Sequence, residues 1–200
     1  MLLYFYNLKT YMESILIILI ILGVLFLAAI VAYNGLISKR NRVKNAWADI
    51  DVQLKRRYDL IPNLVSTVKG AANFESSTLE KVIQARNSAI SAHDSGDKDK
   101  IAESETQLTG ALKQVFALAE NYPDLKATTN FGSLQSELTD TEDKIQAARR
   151  FYNATVTDFD TAIQMFPTNI LAGFFGFKEE EMFKLSSEEA AAKNPVEVRF

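Results

Sequence analysis

Apolar residues fall along this chain in two regimes. The first is an uninterrupted run, ILIILIILGVLFLAAIVA, from Ile15 to Ala32. At 1.5 Å of rise per residue its length as a helix is about 27 Å, close to the hydrocarbon thickness of a bilayer. No charged residue lies between Glu13 and Lys39, and Tyr33 sits where an interfacial aromatic belongs. The run reads as a transmembrane helix over 13–38. A cleaved signal peptide fits less well. The apolar stretch is long, the residues before it are poorly basic, and Ile30 stands where a small residue should precede the cleavage point.

The second regime is apolar spacing in steps of three and four. Val43, Trp47, Ile50, Leu54, Ile61, Leu64 and Val68 form a heptad seam with one slot missing, at Arg57. Pro62 lies inside it and predicts a kink near Tyr58 to Leu60. Gly70 and Asn73 mark a break. Ser76 or Ser77 then opens a second helix, with Glu80 at capping-box spacing from Ser77 and an apolar face of Leu79, Val82, Ile83, Ala89 and Ile90. A polar connection runs from His93 to Lys100. A third helix carries Ile101, Leu108, Leu112, Val115, Leu118 and Tyr122 and stops at Pro123. After a turn over Asp124–Thr129, Thr129 or Asn130 caps a last long helix. Its seam is Phe131, Leu134, Leu138, Thr141, Ile145, Ala148, Tyr152, Thr155, Phe159, Ala162 and Phe166, ended by Pro167. Two exposed i,i+4 pairs are expected, Asp51 with Lys55 and Asp140 with Lys144.

These elements predict an all-α fold: an N-terminal transmembrane helix, then an antiparallel up-and-down four-helix bundle with long first and last helices. The domain reading is a short tail over 1–12, the span over 13–38, the bundle over 39–185 and a flexible tail over 186–200. Met12 is an alternative translation start. The middle helices are too short to cover the outer ones, so Asn41–Arg56 should pair with Tyr152–Phe166 as a two-helix stalk. Arg57 should then meet the Asp94–Asp99 connection, because a lone arginine on a seam is costly to bury. The apolar stretch after Pro167 lies outside any seam. Its Ile170, Leu171, Phe174, Phe175 and Phe177 either cap the stalk or enter the headgroup region, the cap being favoured because apolar bundle ends usually fold back.

Charge and composition narrow function more than fold. Basic residues follow the apolar run (Lys39, Arg40, Arg42, Lys44), whereas Lys9 and Glu13 precede it. The positive-inside rule therefore places the N-terminus outside and the rest in the cytoplasm of a single-pass cell-membrane protein. The net charge of −3 gives no basic field for nucleic acid. There is no cysteine and one histidine, His93, so no catalytic residue, cofactor-binding residue or metal ligand is nominated. A di-metal helical site would need two Glu-x-x-His motifs, and Ile90 occupies the position three before His93. The aspartates of the His93–Lys100 connection lack the spacing of a calcium loop.

The block AWADIDVQLKRRYDLIPNLV (46–65) resembles the signature of LemA-like proteins, and LEKVIQAR, ENYPDLKA and ARRFYNATVTDFDTAIQMFPTNILA extend the resemblance to about 33–177. It implies a bacterial membrane protein with an N-terminal anchor, a helical bundle and no established biochemical activity. The sequence departs from the pattern at Ala71–Phe74, where an aromatic and a histidine are more usual. The expected function is a membrane-anchored scaffold or protein-interaction module without catalytic activity. Its expected partners are the lipid bilayer and other proteins or further copies of itself, with self-assembly through a partly exposed stalk seam at Val43 and Trp47. No small-molecule substrate is expected. The resemblance alone suggests an alternative, an adaptor for a membrane zinc peptidase or an envelope-stress response.

Overall fold

A computed structural model describes residues 2–70 and 76–184, with side chains from Tyr11 onward. The expected break at Asn73, the departure at Ala71–Phe74 and the tail over 186–200 lie outside the described residues. Those described contain six helices and no strand. They are α1 (Leu2–Lys69), α2 (Ser76–Ser95), α3 (Lys98–Ala119), α4 (Pro123–Lys126), α5 (Thr129–Gln164) and α6 (Thr168–Phe175). The chain divides into two compact units. One comprises Met1–Val43 with Thr155–Glu180, the other Lys44–Ala154 with Glu181–Phe200.

The second unit buries the expected seams. Ile50, Leu54, Ile61, Leu64 and Val68 of α1 are fully buried, as are Val82 of α2, Leu108 and Val115 of α3, and nearly so Phe131, Leu138 and Ile145 of α5. Each fully buried aliphatic or aromatic side chain contributes about 1.5–3 kcal/mol. α1 continues as a helix through Pro62 without interruption. Asp97 caps α3, its carboxylate accepting the Lys100 N–H at 3.1 Å. That contact, first, and the Lys100 ammonium hold the Asp97 carboxyl below its ordinary range. Gly96, which joins α2 to Asp97, has φ +71°, a left-handed conformation that side chains disfavour. The start of α5 is capped by Thr128, whose hydroxyl accepts the Phe131 N–H, and not by Thr129 or Asn130. The turn expected over Asp124–Thr129 contains α4, opened by Pro123 at its first position.

In the first unit the last part of α5 buries Phe159 and Ile163, whereas Phe166 is 78% exposed, so the seam stops one turn early. The stretch after Pro167 is helical, which the absence of a seam had not indicated. α6 ends at Gly176 (φ +70°), where the Phe177 N–H reaches the Ala172 carbonyl at 2.9 Å. The chain beyond it is tied back to α5: the Glu180 N–H donates to Asp160 at 3.0 Å, and Gln164 donates to Glu179 at 2.7 Å.

Candidate functional site

Two regions stand out, one in each unit. In the first, Ile15–Leu22 and Val24–Leu27 of α1 are each 52–68% exposed. Among the described residues, α1 is the one helix long and apolar enough to cross a membrane. Such a surface is unstable in water and at home in hydrocarbon. Farther along the same helix, Tyr33 packs on Phe175 (4.6 Å between ring centroids) and Phe177 (6.0 Å). Phe177 also meets Phe159 at 6.2 Å and lies under the Arg40 guanidinium at 5.4 Å. Of the five apolar residues singled out after Pro167, Phe175 and Phe177 therefore pack against α1, while Phe174 (82%) and Ile170 (63%) face outward. An apolar groove of about 270 Å³ lies between Phe26, Ala29, Ile30 and Tyr33 of α1 and Leu171, Phe174 and Phe175 of α6.

The second region is a polar cluster inside the other unit. Arg57, on the α1 seam, is 3% exposed. Its Nη1 contacts Glu105 of α3 at 3.1 Å and Glu142 of α5 at 3.0 Å, and its Nη2 donates to Thr109 at 2.5 Å. The other Glu105 oxygen accepts a hydrogen bond from the Tyr58 hydroxyl. Burial pushes the Glu105 carboxyl above its ordinary range; Arg57 and Tyr58 pull it back, but burial prevails. Burial, then the Glu105 charge, raises the Tyr58 hydroxyl, which stays protonated and donating. A cleft of about 290 Å³ borders the cluster, lined among others by Lys113, Gln146 and Arg149. Both Glu105 oxygens are thus engaged inside the protein, one by Arg57 and the other by Tyr58.

Arg57 does meet acidic groups, but not the Asp94–Asp99 connection. α2 continues to Ser95, and His93 in its last turn contacts Asp51 at 3.1 Å. The α2–α3 turn thus sits at the level of Asp51, about 9 Å along α1 from Arg57. Asp51 turns to that histidine in place of the expected Lys55 pairing. The Asp140–Lys144 pair forms at 2.7 Å and gains Arg56 at 3.6 Å; Lys144 holds the Asp140 carboxyl below its usual range. Glu105 and Glu142 were not singled out in the sequence. The signal was present for Glu105: it fills the empty slot of the α3 seam between Ile101 and Leu108, as Arg57 does between Leu54 and Ile61.

The stalk seam is used by the chain itself. Val43 is 2% exposed, and Trp47 is half-buried against Tyr152 at 5.3 Å and Phe183 at 5.6 Å. Phe183, which the seams did not reveal, is held by Asn153 through both its N–H (2.9 Å) and its carbonyl (3.0 Å). The Tyr152 hydroxyl donates to the Glu181 carbonyl at 2.6 Å and accepts from Lys98 at 2.7 Å. Among the described residues no three histidine, aspartate or glutamate side chains gather as a metal site would require.

Residues 46–200 match the model of the LemA family. The chain belongs to the LemA family. Protein LemA of Metamycoplasma hominis is 31% identical over 188 residues, spanning 92% of this chain and 84% of its own length. Magnetosome protein MamQ 2 of Paramagnetospirillum magneticum is 24% identical over 206 residues, 89% of this chain and 75% of its own. Magnetosome protein MamQ of Magnetospirillum gryphiswaldense is 24% identical over 187 residues, 82% and 68% respectively. These names specify no reaction. The LemA match begins at Ala46, beyond the exposed apolar run, and takes in both the Arg57 cluster and α6.

Proposed function

We propose that this LemA-family chain is a non-catalytic scaffold anchored in the cell membrane by a single pass of α1, with the residues that follow the span on the cytoplasmic side. The observation that carries this reading is the character of α1 itself. One uninterrupted helix is apolar and exposed over Ile15–Leu27 and then supplies Ile50, Leu54, Ile61, Leu64 and Val68 to a buried core. Relatives named as magnetosome proteins support a membrane-associated role. The basic cluster Lys39, Arg40, Arg42 and Lys44 supports the cytoplasmic orientation.

We further read α1 (from Lys44), α2, α3 and α5 as an antiparallel up-and-down bundle. From Asp51 to Tyr58 the α1 sequence rises while its α2 partners fall, from His93 to Arg86. From Trp47 to Arg57 its α5 partners fall from Tyr152 to Glu142. Because Val43, Ile50 and Leu54 are spent inside the chain, a partner protein or second copy would dock on outer positions such as Val52, which is 62% exposed. The test uses the absence of natural cysteines. Full-length S14C and S136C variants are exposed in intact cells to a membrane-impermeant maleimide. Labelling of S14C alone is expected, with the chain resisting alkaline carbonate extraction; labelling of S136C, or extraction into the soluble fraction, overturns the reading.

A further inference from the structure

α6 is a short helix that is apolar on nearly every side, and only part of that surface is covered by the rest of the protein. Its inner face is occupied: Ala172 is buried and Phe175 packs on Tyr33. Its outer face is not: Phe174 and Ile170 are 82% and 63% exposed, and Met165 and Phe166 just before it are 59% and 78% exposed. Four large apolar side chains within ten residues of sequence are thus left exposed, and exposed apolar side chains gathered in one stretch call for an apolar partner.

α1 acts as a depth gauge for that partner. The α1 residues bordering the α6 groove are Phe26, Ala29, Ile30 and Tyr33, one face over the last two turns of the apolar run. Lys39 and Arg40 come about 9–11 Å farther along the helix. If α1 crosses a bilayer with those cations among the headgroups, the groove reaches from about 9 Å below them at Tyr33 to about 21 Å at Phe26, within one leaflet. The groove wall is then continuous with the surface that the lipid already covers. On the headgroup side of the groove the Arg40 guanidinium lies over the Phe177 ring.

We propose that α6 is a second, monotopic membrane element. Ile170 and Phe174 enter the leaflet on the Lys39–Arg40 side, and the groove between α6 and Phe26–Tyr33 takes a phospholipid acyl chain. The proposal rests on α1 spanning the bilayer. It makes the chain an anchor with two depths, one helix crossing and one lying in a single leaflet.

The test is depth-resolved quenching with the full-length chain in vesicles of phosphatidylcholine and phosphatidylglycerol, brominated at shallow or deep acyl positions. W47F removes the single native tryptophan. On that background L22W reports on the middle of the span, F174W on α6 and S136W on the outer surface of α5, with circular dichroism confirming helix content. The expected result is F174W quenched most by shallow bromines, L22W most by deep bromines and S136W by neither. L22W quenched with F174W untouched overturns the proposal and leaves the spanning helix standing. Neither quenched overturns both. F174W untouched together with a dimeric mass in detergent assigns the patch to a second copy and also overturns the proposal.

Discussion

Replacing Arg57 by methionine tests whether the buried cluster holds three helices together. Methionine approximates the volume and length of the arginine stem, so the change removes charge and hydrogen bonds without opening a large cavity. It leaves Glu105, whose side chain is 9% exposed, without its cation, and Glu142, at 28%, with water as partial recompense. Breaking a buried pair from one side costs about 3–5 kcal/mol, and the partial exposure of Glu142 places R57M near the lower end, about 3 kcal/mol. For a chain of this length that is a fall in Tm of about 6–12 °C. Urea and thermal unfolding of the full chain in micelles, followed by circular dichroism, read it directly. The loss should shrink as pH falls, because protonating Glu105 removes the stranded charge. The double variant R57M/E105L should recover most of it, since a well-packed apolar replacement of a buried pair is often neutral or better. R57M within about 0.5 kcal/mol of the parent near neutral pH, or a double variant no more stable than R57M, would refute the argument.

Other expectations follow from the same geometry. The Glu105 carboxyl is raised in the folded chain, so the fold binds its proton more tightly than the unfolded chain does. Its contribution is full below the unfolded value of about 4.3 and is lost as pH rises through the folded one. E105Q should thus gain on the parent between about pH 5 and pH 8 in urea midpoint; an unchanged gap between the two proteins contradicts the assignment. Y152F removes the donor to the Glu181 carbonyl and the acceptor for Lys98, and should lower stability by about 1–2 kcal/mol while loosening Phe183, seen as faster proteolysis near the C-terminus. G96A meets no atom within 4 Å but forces a side chain onto φ +71°, and should cost about 1 kcal/mol in an unfolding titration.

Helix content and most of the core were legible because both come from one local signal, apolar residues at three- and four-residue steps. The same signal explains what stayed hidden. A seam lists the positions that face inward but not the partner each will meet, so Arg57 could be placed inside while its acids could not. The information was split between two seams, each missing one slot, on helices whose relative register periodicity does not encode. α6 was missed for a different reason. Ile170, Leu171, Ala172, Phe174 and Phe175 are apolar on every side over eight residues, so no stripe exists to detect. Its punctuation was readable: Pro167 before it and Gly176 after it are the start and stop of a helix. Phe183 was illegible because its position depends on a pair of backbone hydrogen bonds to one distant asparagine.

Heptad seams carry a known ambiguity. Leucine, isoleucine and valine pack nearly as well when one helix slides past its neighbour by a turn, about 5.4 Å, so such seams admit several alignments of similar energy. The Arg57 cluster lifts that degeneracy. It draws one charged side chain from each of α1, α3 and α5, and a one-turn slip of any of them would carry a partner out of reach and leave an ion stranded in the interior. Its main contribution is then to single out one alignment against its neighbours, a spelling check on the fold, more than to deepen the stability of the alignment that results.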